Sequence, residues 1–152
     1  MQQERYMRRA MELAELGRGW TKTNPVVGAV LVKEDRIIGE GYHKKFGGLH
    51  AEREALADCR SRGEDPAGAD LYVTLEPCCH YGKTPPCTQA VIEAGISHVF
   101  VGAKDINPLV AGGGIRQLRE QGILVTEGVL QEECEYQNLS LIHISEPTRR
   151  VV

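Results

Sequence analysis

No apolar run in this sequence approaches the ~20 residues that cross a bilayer as a helix, so a membrane-spanning helix is not expected. The start, Met1-Gln2-Gln3-Glu4-Arg5, lacks the apolar segment of a secretory signal, and Glu4, Glu12 and Glu15 argue against an acidic-poor transit peptide. An excess of positive charge is missing too: 18 Lys and Arg stand against 21 Asp and Glu, a formal net charge of −3. Without a polycationic footprint, long single-stranded DNA or RNA is not a favoured substrate. The five cysteines are an odd number in a chain without a secretion signal, so they read as reduced thiols or metal ligands rather than a disulfide framework. A nucleotide cradle of the usual kind is also missing. Gly112-Gly113-Gly114 could bring backbone amides near a phosphate, but it lacks the lysine of a P-loop and does not meet G-x-G-x-x-G. The expectation is a cytoplasmic protein with neither nucleic acid nor membrane as partner.

The chain's 152 residues, 41% of them hydrophobic, are enough for one sizeable core. Tyr6, Met7, Ala10, Met11, Leu13 and Ala14 recur at helical spacing and predict a helix ending near Gly17. The apolar run over 26–32 predicts a strand buried on both faces, paired with 36–42 after a turn containing Asp35. Further along, helices are expected over 50–62, 88–94 and 115–121, and strands over 71–75, 98–102 and 123–126. Strands separated by helices imply an α/β domain with a largely parallel sheet covered on both faces.

His50-Ala51-Glu52, Glu76-Pro77-Cys78 and Pro85-Pro86-Cys87 carry the chemistry. An imidazole and two thiolates are ligands that catalytic zinc takes, and a carboxylate two residues from the histidine is free to move protons. Inside a regular helix, residues i and i+2 point to different sides, so His50 and Glu52 share a pocket only if His50 stands at or near the cap. Cys87 opens a predicted helix, where amide groups and the dipole favour anions. Cys78 hangs at the carboxyl end of a predicted strand, the edge where open α/β sheets place ligands.

H-x-E followed by P-C-x-x-C is the signature of zinc deaminases. This chain matches its first half and the proline-cysteine start, but eight residues separate Cys78 from Cys87. T-L-E-P-C, a short His/Gly/basic insert and T-P-P-C, from Thr74 to Cys87, resemble the diaminohydroxyphosphoribosylaminopyrimidine deaminase family of riboflavin biosynthesis. Asn24-Pro25-Val26-Val27-Gly28-Ala29-Val30, Gly41-Tyr42-His43 and Gly47-Gly48-Leu49-His50-Ala51-Glu52 extend the resemblance, as do Asp105-Ile106-Asn107-Pro108 and Gly112-Gly113-Gly114. It covers roughly residues 7–138.

The resemblance implies a three-layer α/β/α sandwich of the cytidine-deaminase-like type with a mixed five-stranded sheet. It also implies Zn2+ held by His50, Cys78 and Cys87, with Glu52 as proton shuttle. Cys78 is preferred to its neighbour Cys79 because the family's ligand directly follows proline. Asn24, His43, Ala51, His80, Lys83, Asp105 and Asn107 are the implied contacts to a phosphorylated pyrimidine, and a homo-oligomer is expected. On composition alone, Lys83 reads equally as a solvated lysine, and Asp105 and Asn107 as residues that only shape a turn. A cytosine, guanine or tRNA-adenosine deaminase would share the zinc chemistry. A noncatalytic zinc-stabilised interaction domain is the alternative from another class; it would need Cys79 or His80 as a fourth ligand. Cys59 is expected to be buried, Cys134 structural or exposed, and His98 structural.

Residues 1–138 are expected to form the deaminase domain. Residues 139–152, Leu-Ser-Leu-Ile-His-Ile-Ser-Glu-Pro-Thr-Arg-Arg-Val-Val, resemble a translated sequencing adapter and are set apart as a tail that includes His143. Members of the family usually continue into a reductase domain; its absence here leaves no reductase activity to expect.

Overall fold

The structure, a computed structural model, describes residues 2–18, 25–44, 50–77, 87–104 and 111–144, with side chains described through Asn138 at the C-terminal end. Elements follow the order α1 (Gln2–Leu16), β1 (Gly28–Lys33), β2 (Arg36–Tyr42), α2 (Ala51–Ser61), β3 (Asp70–Leu75), α3 (Cys87–Glu93), β4 (His98–Ala103), α4 (Gly113–Glu120), β5 (Leu124–Thr126) and α5 (Gln131–Ile144). The five strands form one sheet in the order β2-β1-β3-β4-β5.

Strand direction follows the connections. Glu34 and Asp35, both with positive φ (53° and 59°), close a two-residue hairpin turn that makes β1 and β2 antiparallel. β3 then pairs with the other side of β1, again antiparallel, while β3–β4 and β4–β5 are parallel. β2, β3, β4 and β5, each joined to the next through a helix, therefore all run the same way. The parallel expectation holds for every helical crossover, and the sheet is mixed because β1 is inserted between β2 and β3.

Alternation along β1 builds two cores. Ala29 and Leu31 face α2, α3 and α4 with Leu71, Val73, Val99 and Val101. Val30 and Val32 face α1 and α5 with Met7, Ala10, Tyr72 and Phe100. This is the expected three-layer arrangement, and a strand covered on both sides has no polar face to alternate with. Gly41 brings α2 down onto β2: a Cβ there would lie 2.4 Å from the Ala55 amide nitrogen and 2.6 Å from the Ala51 carbonyl oxygen. The first turn of α2 thus rests on the end of β2. No helix among the described residues is long and apolar enough to cross a membrane.

Two features depart from expectation for one reason. β1 starts at Gly28 rather than at 26, and a fifth helix follows Thr126 where none was expected. The Val26 amide donates to Asn138 Oδ1 at 2.8 Å, and Asn138 Nδ2 donates to the Val26 carbonyl at 3.3 Å. A side-chain amide on α5 thus satisfies the backbone groups that a longer strand would have paired. Gln137 donates to the Met11 carbonyl at 2.9 Å and to Glu15 at 2.8 Å. Among the described side chains, the inward face of α5 therefore reads Cys134, Gln137 and Asn138, all buried, and two polar residues out of these three hide its helical periodicity. The backbone of α5 continues across the expected boundary at residue 138 as far as Ile144.

Replacing Asn138 by Ala would leave both polar groups of Val26 without this partner in a buried setting. A loss of about 1–3 kcal/mol is expected in urea unfolding, with the midpoint temperature falling by about 2–4 °C per kcal/mol at this chain length. An unchanged unfolding midpoint would show that water serves Val26 equally well.

Candidate active site

The carboxyl ends of β2, β3 and β4 share one edge of the sheet because the three strands run in the same direction. His43 follows β2, Glu76 and Pro77 follow β3, and Lys104 follows β4. His50 is the N-cap of α2, in extended conformation (φ −73°, ψ 163°), and makes no side-chain capping bond. The expectation that it stands at the cap is met. Its ring is left to face Cys87, the first residue of α3: His50 Nδ1 and Cys87 Sγ are 3.0 Å apart. The His43 and His50 rings meet edge to face, with centroids 5.5 Å apart.

Burial divides these groups. Cys87 and His43 are buried at 1% and 5% exposure, whereas His50 is exposed, so the pair opens to solvent on the histidine side. Ala51 is fully buried and Glu52, in the first turn of α2, is 4% exposed. A solvated helix carboxylate, the ordinary fate of a glutamate, does not describe Glu52. The structure thus brings together His43, His50 and Cys87 and places Ala51 and Glu52 on the adjoining helical turn. Asn24, Cys78, Cys79, His80, Lys83, Asp105 and Asn107 lie outside the described residues.

Donor chemistry tests the fit to a metal. Zinc takes imidazole nitrogen at about 2.0–2.1 Å and thiolate sulfur at about 2.3 Å, so two such atoms can share one ion only when within about 4.4 Å of each other. His50 Nδ1 and Cys87 Sγ satisfy this condition. The other described thiols do not compete. Burial pushes the Cys59 thiol above its ordinary range and the Cys134 thiol up to about 12, which keeps both protonated and structural. Both are buried, in agreement with the expectation for Cys59 and with the structural alternative for Cys134.

One role escaped the sequence reading, which named Glu76 only as part of its motif. Glu76, 5% exposed, accepts hydrogen bonds from the Gly112 amide at 2.9 Å and the Ile115 amide at 3.0 Å, both at the start of α4. The glycine-rich turn whose amides were considered for a phosphate thus binds the protein's own carboxylate. The signal was present in T-L-E-P-C, where an acidic residue ends an apolar strand beside the presumed ligand, but its partner lies 36 residues away. Away from this edge, a groove of about 810 Å3 between α1 and α5 is lined by Arg8, Glu15, Tyr136 and their neighbours and contains none of the site residues.

On this five-stranded mixed sheet a histidine at one helix cap faces a cysteine at the next helix start, with a buried glutamate two residues beyond the histidine. The family described as the cytidine and deoxycytidylate deaminase zinc-binding region matches residues 1–103, and the chain belongs to it. The chain is similar to the riboflavin biosynthesis protein RibD of Actinobacillus pleuropneumoniae, with 54% identity over 147 residues, 97% of this chain and 38% of that protein. It is also similar to the diaminohydroxyphosphoribosylamino-pyrimidine deaminase of Buchnera aphidicola, with 47% identity over 133 residues, 88% of each. Among solved structures, a diaminohydroxyphosphoribosylaminopyrimidine deaminase/5-amino-6-(5-phosphoribosylamino)uracil reductase from Thermotoga maritima superposes with a TM-score of 0.85 at 54% identity, over 90% of this chain and 39% of that one. The chain therefore spans well under half the length of the first of these relatives and of the Thermotoga enzyme.

Proposed function

We propose that the chain catalyses hydrolytic deamination of 2,5-diamino-6-(5-phosphoribosylamino)pyrimidin-4(3H)-one, releasing ammonia and a 5-amino-6-(5-phosphoribosylamino)uracil product. The observation that carries this is the His50–Cys87 pair at 3.0 Å with Glu52 buried on the adjoining turn. The names of the Buchnera and Actinobacillus relatives support the substrate and the riboflavin pathway.

His50, Cys87 and Cys78 would hold a zinc ion, with Cys78 as the ligand after Pro77. When bound, zinc supplies a water acidified toward neutrality and a positive charge beside the reacting carbon. Glu52 takes a proton from the attacking water as the oxygen adds to the ring carbon bearing the exocyclic amine. It then gives that proton to the departing nitrogen. The carbon–nitrogen bond breaks and ammonia leaves, and the proton still on the added oxygen passes to the neighbouring ring nitrogen as the carbonyl forms, so one carboxylate acts as base and then as acid. Burial of Glu52 in the first turn of α2 keeps this proton from bulk water. Asn24, His43, Ala51, His80, Lys83, Asp105 and Asn107 are assigned to orienting the phosphorylated pyrimidine. Residues 1–138 form the deaminase unit and 139–152 a foreign tail, in a cytoplasmic homo-oligomer.

Ammonia release separates the possible substrates. The zinc-loaded protein is expected to turn over the phosphoribosylamino-pyrimidine at least ~100-fold better than cytidine or guanine, because a site built for its polar groups leaves them unpaired with the others. Cytidine or guanine turning over as well would replace this substrate. No ammonia from any of them, with zinc bound, would favour a noncatalytic zinc-stabilised domain.

A further inference from the structure

We infer that Glu76 is a positioning residue that anchors the last described residues before Cys78, and so sets how tightly the metal is held. This rests on the proposed assignment of Cys78 as a ligand. Glu76 is fixed at two levels just before Pro77 and Cys78. Its own amide donates to the Ala103 carbonyl at 2.8 Å, continuing the β3–β4 ladder past Leu75. Its carboxylate accepts from Gly112 and Ile115, two charge-assisted bonds at the positive end of α4.

The contact has no slack. A Cβ on Gly114 would lie 2.1 Å from the Pro77 carbonyl oxygen and 3.2 Å from Glu76 Cγ, so the start of α4 rests directly on the Glu76–Pro77 backbone. Pro77 then fixes its own φ. Clamped by β4 from one side and α4 from another, Glu76 and Pro77 form a fixed anchor immediately before the proposed ligand. Outer residues that orient a ligand change metal affinity by 10–100-fold when replaced, although they never touch the ion.

Glu76→Gln tests this with little change of size: one amide keeps an acceptor, while the other faces an NH2 group. Gly114→Ala tests the same junction by crowding. Leu118→Val, which trims a fully buried side chain farther along α4, is the control for general loosening of that helix. Chelator competition measures zinc affinity, the visible spectrum of the Co2+-substituted protein reads thiolate coordination, and thermal melts report stability. Glu76→Gln and Gly114→Ala are expected to weaken zinc by ~10-fold or more and to alter the cobalt spectrum. Leu118→Val should lower the melting temperature and keep wild-type affinity and spectrum. Wild-type affinity and spectrum in Glu76→Gln, or an equal loss in Leu118→Val, would overturn the positioning role. Wild-type protein that binds no zinc would overturn the assignment of the metal site, and the role of Glu76 with it.

Discussion

Glu52→Gln is expected to keep its zinc and lose turnover by ~100-fold or more, the scale of a general acid–base contribution. The replacement preserves size and hydrogen-bonding capacity and removes only the ability to accept and return a proton. Because Glu52 is buried at the start of α2, solvent has poor access to take over the transfer. Steady-state ammonia release, measured with zinc content on the same sample, separates a lost shuttle from a lost metal. Near-normal turnover in the zinc-replete variant would remove Glu52 from the mechanism.

The cysteines give the other large effect. Cys87→Ser and Cys78→Ser are expected to abolish tight zinc binding, since a neutral hydroxyl is a poor substitute for thiolate. Cys79→Ser should retain the metal. The two neighbouring sulfurs differ only in their place after Pro77, and Cys87 is the thiol seen facing His50. Zinc retained in Cys78→Ser and lost in Cys79→Ser would reverse the ligand choice.

Much of the site was legible because its signals are local. H-A-E at a predicted helix start required His50 at the cap, and the structure places it there in extended conformation. Cys87 was expected at the start of a helix and is the first residue of α3. Each is a short-range rule about caps and spacing, and needs no knowledge of distant residues. Glu76 was not legible, because its partners at Gly112 and Ile115 are reached only when α4 folds against the end of β3. α5 escaped for a related reason: its buried face is polar, and Gln137 and Asn138 are recognisable as interior residues only once Met11 and Val26 stand opposite them.

The sequence by itself determined the two-sided burial of the strands, the succession of strands and helices, and the residue types that meet at the carboxyl edge. Hydrophobic period, turn chemistry and ligand spacing are properties of neighbouring residues. Only the tertiary structure decided that β1 lies between β2 and β3, that His50 and Cys87 come to 3.0 Å across 37 residues, and that the amides of the glycine turn bind Glu76. Those outcomes depend on how elements far apart in the chain pack together, and for Glu76 on satisfying a buried carboxylate. Such a requirement has no period and leaves no mark until the partners are packed together.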